Sequence, residues 1–260
     1  LVSKGVEFLV YPALPNTLAL AQTVVIQPLG EWSERDFGRP GRDDVSGMLP
    51  PKLARLLVNL AGAASDNLLL DPFCGSGTII TEARLLGFTR LIGSDIADRA
   101  LQDTRANLAW LRQNNSAAEA GEVQLFQADV RDLPKKISAH SIDVIVTEPF
   151  LGPPVRGSVG NAYRRSLPET LHELSTLYTD AFTAFTKILK PGGTVVFIFP
   201  QFVIKNKVYR TAEAAVSKIK KLGFTSEPLL PAKLSPEPFI LYRRPSQFVG
   251  REIWKFKLAS

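Results

Sequence analysis

From Leu68 onward, short and nearly continuous apolar runs alternate with longer stretches whose apolar positions recur every three or four residues. The runs Leu68 to Leu70, Arg90 to Ser94, Val123 to Gln127, Ile142 to Thr147 and Thr194 to Phe199 each predict a strand buried on both sides. Helices are predicted from near Gly77, from about Ala97 to Gln113, from about Pro168 to Leu189, and near Thr211 to Leu222. Another opens at Pro50-Pro51 and runs to about Ala61, since proline is tolerated in a first helical turn. Lys190-Pro191-Gly192-Gly193 is a stop signal for the longest helix. Two β-like runs, near Phe239 to Arg243 and Glu252 to Phe256, complete the chain. This alternation predicts an α/β fold with a parallel sheet covered on both faces.

The first 49 residues lack the pattern. Val24-Val25-Ile26 predicts a strand there, and the polar, Arg-rich stretch from Ser33 to Ser46 predicts a long loop. The expected organisation is a linker and extension over 1–49 and one domain over 50–260. With 260 residues, 45% of them hydrophobic, the chain can fill a full core. Its net charge of +6 permits a polyanionic partner. No apolar run reaches the length of a transmembrane span or a signal-peptide core. The single cysteine, Cys74, excludes intramolecular disulfides and argues against a cysteine-based zinc site, so no metal is expected. These features suit the cytoplasm, with no membrane partner. The chain begins at Leu1 and its one methionine is Met48, so it reads as a piece of a longer protein.

In a parallel sheet, ligands sit at the carboxyl ends of the strands. There the chain reads DPFCGSGTI from Asp71 to Ile79. A dinucleotide fingerprint would need glycine or alanine where Ile80 stands. A pyrophosphate at the following helix would also be repelled by Asp71. A ligand with an ammonium and a sulfonium and no phosphate suits that acid, and S-adenosylmethionine is such a ligand. The loop residues expected around it are Asp71, Pro72, Phe73, Gly75, Ser76, Gly77 and Thr78. Asp95, with Ile96 beside it, stands where a carboxylate can accept both ribose hydroxyls. Asp129, with Val130, ends the third strand and can take the adenine amino group. Each acid taken singly also reads as a helix cap or a solvated loop residue. Three at successive strand ends favour the cofactor.

These residues resemble the class I methyltransferase fold from about Pro50 onward. DPFCGSG is similar to its cofactor loop, Asp95 to its ribose acid and Asp129 to its adenine-side acid. The resemblance implies a Rossmann-like, mostly parallel seven-stranded sheet with helices on both faces.

The fourth strand ends in Thr147-Glu148-Pro149-Phe150-Leu151-Gly152-Pro153-Pro154. This looks like a variant of the acid-Pro-Pro-aromatic motif of enzymes that methylate exocyclic amino groups of bases. An aryl amine is a poor nucleophile because its lone pair is delocalised into the ring. An acceptor side chain and a backbone carbonyl can hold its two N–H groups, and an aromatic ring can stack on the base. Two registers are open. Pro149-Phe150 placed on the Pro-aromatic pair puts Thr147 at the acid position. Placing Glu148 there instead puts Phe150 on a proline. Glu148 is preferred, since a carboxylate polarises an amine better than a hydroxyl does. A Pro-stiffened loop with Phe150 in the core is the structural alternative.

Upstream, Ser33-Glu34-Arg35-Asp36-Phe37-Gly38-Arg39-Pro40 and Gly47-Met48-Leu49-Pro50-Pro51-Lys52-Leu53-Ala54 resemble the tRNA guanine-10 N2-methyltransferase family. That resemblance implies methyl transfer to guanine N2 in tRNA, with an RNA-binding THUMP region preceding Leu1. It also implies that Met48 and Leu49 line the methionine end of the cofactor; a hydrophobic lid on the core is their other reading. Arg35, Arg39 and Arg42 are candidate phosphate contacts, since guanidinium forks suit phosphate. The lysines between Lys205 and Lys221 read as a solvated face. The rivals are a DNA adenine or cytosine amino-methyltransferase and a catalytically silent subunit that binds cofactor or RNA.

Overall fold

The structure is a computed structural model that describes residues 5–42, 48–115, 121–153, 161–205, 207–244 and 247–260, with backbone alone for 161–165. Gly47 and Pro154 of the motifs above, and residues 43–46 of the expected loop, lie outside the described residues. The chain divides into two compact units, Leu1–Gly38 and Arg39–Ser260.

In the first unit, β1 (Phe8–Leu14) and β2 (Thr17–Gln22) form an antiparallel hairpin. Asn16 makes its turn at a φ of 64°, a left-handed conformation that asparagine tolerates. The strand expected at Val24-Val25-Ile26 is absent: these residues belong to no element and are exposed. The start of the expected loop is helical instead. A short helix α1 (Leu29–Ser33) runs into one π-helical turn, Glu34–Gly38.

In the second unit, helix α2 (Pro51–Ala61) opens on proline as expected and ends at Gly62, whose φ is +67°. Then come β3 (Leu68–Asp71), α3 (Thr78–Leu85), β4 (Arg90–Asp95), α4 (Asp98–Asn114), β5 (Glu122–Gln127) and a 3-10 turn, Val130–Lys135. Strand β6 (Ile142–Thr147) leads to α5 (Asn161–Ile188), β7 (Leu189–Ile204) and β8 (Lys207–Arg210). The unit closes with α6 (Ala212–Lys221), β9 (Phe224–Glu227), β10 (Phe239–Tyr242) and β11 (Val249–Leu258). The seven expected strands lie in the order β10-β11-β7-β6-β3-β4-β5, and the unexpected β8 and β9 pair with β7 and β11. Pairings among β3 to β7 are parallel, while β10 and β11 run antiparallel to their neighbours.

Alternate strand residues divide between two cores. Leu70, Ile92, Ile145, Phe197 and Phe199 join one cluster with α5 and α6. Leu69, Leu91, Val144, Val146, Val196 and Ile198 join the other, with α2 and α3. Helix α5 begins earlier than the sequence predicts and carries Pro168 inside it. A proline there removes one backbone bond, and the buried Leu167, Leu174 and Tyr178 hold the helix regardless. Lys190 to Gly193 is not a break before β7. Leu189 already pairs with Ile142, and the register shifts before Thr194 meets Val144, with Gly192 at a φ of +74°. The four residues form a bulge within the strand.

The chain winds outward from β3 through β4 to β5, then returns to β6 on the other side of β3. The loops after β3 and β6 therefore diverge at a topological switch point, where such sheets bind ligands.

Candidate active site

Asp71 ends β3, and the chain turns at once through two glycines in left-handed conformations, Gly75 at +52° and Gly77 at +80°. At Gly77 a Cβ would also stand 2.7 Å from Thr104 Cγ2, so glycine is required twice over. Helix α4 fastens this loop from below. Thr104 Oγ1 donates to the Gly75 carbonyl at 2.7 Å, and Asn107 Nδ2 donates to the Ser76 carbonyl at 2.8 Å. Asn107 also exchanges two 2.8 Å hydrogen bonds with the backbone of Gly41. Cys74 N–H bonds to the Ser94 carbonyl of β4. These bonds tie the loop to α4 and β4. Cys74 itself is a buried thiol whose pKa is pushed well up by burial, which suits a packing role.

Asp95 serves the same loop. Its Oδ2 accepts the Gly75 N–H at 3.0 Å and its Oδ1 accepts the Ala97 N–H at 2.9 Å, which fixes the plane of the carboxylate. Each oxygen keeps a second lone pair for a hydroxyl. Ile96, the next residue, is 64% exposed, an apolar platform beside that acid.

Asp71 is buried, and its Oδ1 accepts the Thr147 hydroxyl at 2.7 Å and the Phe73 N–H at 3.2 Å. Burial raises its carboxyl from the ordinary 3.8 to about 7, and the charges of Asp95 and Glu148 add to the rise while both hydrogen bonds oppose it. A cation placed beside Asp71 would favour its charged form. S-adenosylmethionine fits that demand through its ammonium and sulfonium. An anionic pyrophosphate does not.

Asp129 caps the 3-10 turn through the Arg131 N–H and forms a forked pair with the Arg131 guanidinium, whose hydrogen bonds hold its carboxyl below the usual range. Val130 is buried in the core. Leu49 likewise packs in the core with α2. Met48 Sδ sits 3.2 Å from Arg39 Nη2. Arg39 is not a surface phosphate fork: it is 4% exposed and donates to Thr78 Oγ1 at 2.7 Å, at the start of α3. Arg35 lies in the N-terminal unit, stacked 4.3 Å over the Trp32 ring and 3.8 Å from Glu31. Arg42 is half-buried.

Across the switch point, Thr147 is fully buried and points its hydroxyl at Asp71. Its proton is thus directed at Asp71 rather than outward. Glu148 is 11% exposed and is gripped by Arg251 through Nε–Oε1 at 2.5 Å and Nη2–Oε2 at 3.4 Å. Burial raises its carboxyl above the ordinary value despite the opposing pull of that guanidinium. Pro149 is buried, and Phe150 is 56% exposed rather than part of the core. Leu151 takes the inward place, packed against the second core cluster. The Phe150 carbonyl accepts the hydroxyl of buried Tyr178 at 2.7 Å. The loop thus ends in a carboxylate and a projecting aromatic ring, both braced from behind. Sequence reasoning missed the braces, Arg251, Tyr178, Thr104 and Asn107. A signal existed for Arg251 and Glu252, two adjacent opposite charges directly ahead of the apolar Ile253-Trp254.

Residues 39–226 match the family model described as RMKL-like, methyltransferase domain. The chain belongs to this methyltransferase family. Among curated relatives of this methyltransferase domain is the tRNA (guanine(10)-N2)-dimethyltransferase of Methanothermobacter thermautotrophicus. It is 32% identical over 157 residues, covering 60% of the chain and 40% of the relative. The enzyme of the same name from Methanocaldococcus jannaschii is 28% identical over 194 residues, covering 72% and 49%. The chain spans less than half the length of either. Among solved structures, TrmN from Thermus thermophilus matches with a TM-score of 0.55 at 21% identity, over 93% of this chain and 56% of that one. NSun6 from Pyrococcus horikoshii, solved with SFG, matches with a TM-score of 0.56 at 16% identity, over 80% and 52%. At these identities the structural matches speak for the fold, a Rossmann-like methyltransferase domain.

Proposed function

We propose that the chain transfers the methyl group of S-adenosylmethionine to an exocyclic amino group of a nucleobase, guanine N2 in tRNA. The observation that carries this reading is the placement of Glu148 and Phe150 together at the end of β6, one strand from the glycine loop, with the Thr147–Asp71 hydrogen bond joining the two halves. The bound cofactor supplies an electrophilic methyl on a cationic sulfur. Asp71 and Asp95 hold its charge and its ribose, and Ile96 offers an apolar surface to its base. Glu148 accepts an N–H of the target amine, turning the nitrogen lone pair toward the methyl group, and takes the proton that the methylated nitrogen gives up. Phe150 stacks on the base that carries the amine, as aromatic side chains do in sites that take an unstacked base.

The curated relatives support guanine N2, which their names share across tRNA and, in the Bos taurus relative, U6 snRNA. The net charge of +6 suits an RNA acceptor. The single cysteine and a tRNA substrate suit the cytoplasm. The domain responsible is read as residues 50–260. Radiolabelled S-adenosylmethionine offered with tRNA and with duplex DNA in parallel tests the acceptor class. Label is expected in the tRNA alone. Label in DNA would move the assignment to a DNA amino-methyltransferase, and label in neither, with cofactor bound, would make the domain a silent binder.

A further inference from the structure

Arg251 stands on β11, opposite Pro200 of β7, and reaches across β7 to the loop after β6. Its guanidinium meets the Glu148 carboxylate as a fork, one nitrogen to each oxygen. The two side chains are 10% and 11% exposed, so the pair is shielded from water and from salt. Among the described residues, three ionisable groups face Glu148: Arg251 from β11, Asp71 from the end of β3 and Tyr178 from α5. Arg251 is the cation among them.

We propose that Arg251 is a positioning residue for methyl transfer: its fork fixes the orientation of the Glu148 carboxylate and keeps it in the acceptor form that an amine N–H requires. The inference rests on the proposed function, in which Glu148 holds the target amine. A protonated Glu148 would present a hydroxyl donor to an amine that needs an acceptor. Burial pushes Glu148 toward that protonated form. Arg251 opposes it, and its rigid plane also sets the carboxylate plane, which a lysine could not do. A merely structural ion pair would stabilise the fold and leave the pH response of catalysis alone.

The test uses Arg251→Gln and Arg251→Lys with two readouts. The first is the titration of the Glu148 Cδ carbon in the 13C-glutamate-labelled chain, assigned with Glu148→Gln. Loss of an opposite charge at contact distance is expected to move the midpoint up by about 1–3 pH units in Arg251→Gln. Arg251→Lys should keep it near the wild-type value. The second readout is methyl transfer against pH. Turnover near neutral pH should fall at least about tenfold in Arg251→Gln, about 1.4 kcal/mol of transition-state stabilisation, with its acid limb displaced upward. Arg251→Lys should restore the limb but only part of the turnover. Unchanged affinity for S-adenosylmethionine in both variants serves as the check on folding. An unmoved Glu148 midpoint in Arg251→Gln, or full turnover in Arg251→Lys, overturns the proposal. A wild-type chain that methylates no nucleic acid overturns the reading beneath it, and the carbon titration still decides the role of Arg251.

Discussion

Asp71→Asn removes one charge from the centre of the site and leaves its hydrogen bonds in place. The amide oxygen can accept from Thr147 and from the Phe73 N–H as the Asp71 Oδ1 does, at 2.7 and 3.2 Å. What changes is the proton. The folded carboxyl titrates at about 7, raised chiefly by burial and further by the charges of Asp95 and Glu148, against an ordinary 3.8. Between those two values the folded chain holds a proton that the unfolded chain has released. Stability therefore falls as pH rises through that window and is level above it. A gap of about three pH units, at about 1.4 kcal/mol each, sets an upper limit of about 4 kcal/mol. Relaxation and water entry around a buried carboxylate reduce this to about 1–3 kcal/mol. Urea unfolding of wild type and Asp71→Asn from roughly pH 5 to pH 8 is the assay. The variant is expected to gain about 1–3 kcal/mol on wild type across the range. It should also bind S-adenosylmethionine more weakly, since the cation loses a carboxylate. A difference between the two proteins that stays constant with pH would refute the reasoning, because it would mean that Asp71 does not change its protonation in the folded chain.

Other outcomes follow from the same geometry. Asp95→Ala strips the acceptor from the Gly75 and Ala97 N–H groups and from the ribose, so calorimetry should show S-adenosylmethionine affinity falling at least about tenfold in a folded protein. Phe150→Ala, at an exposed position, should leave stability within about 0.5 kcal/mol in thermal unfolding. Its cost should appear instead as about 1–3 kcal/mol in kcat/KM for the RNA, measured by steady-state methyl transfer.

What the sequence made legible was whatever burial writes locally. The inner strands β3, β4, β6 and β7 are largely apolar because both their faces are covered, and β6 was readable to the residue. The hairpin of β1 and β2 was not, because its residues are exposed on both faces and Pro12 breaks the strand signal. Strands β8 and β9, four residues each, are too short to show a period. The glycine loop and Asp95 were legible because backbone strain and charge at a strand end leave a local mark. The braces were not. Arg251 and Glu148 are 103 residues apart in the chain, and only the antiparallel return of β11 beside β7 brings them together. Thr104 and Asn107 looked like ordinary polar residues of a helix. Their place among the buried Leu101, Leu108 and Leu111 was the available sign that something polar had to be satisfied beneath them. Arg39 misled for a related reason: an arginine in a polar stretch reads as solvated, and only the fold places it against Thr78.

The central claim is that the site directs a methyl group onto the exocyclic nitrogen of guanine. The most direct measurement is mass spectrometry of nucleosides from tRNA incubated with the chain and isotopically labelled S-adenosylmethionine, at high protein and RNA concentration. Glu148→Gln runs beside it as the control that loses the carboxylate. The expected result is labelled N2-methylguanosine with the wild-type chain, reduced at least about tenfold in Glu148→Gln. Label on a ring nitrogen, on a ring carbon or on another base, undiminished in Glu148→Gln, would contradict the account.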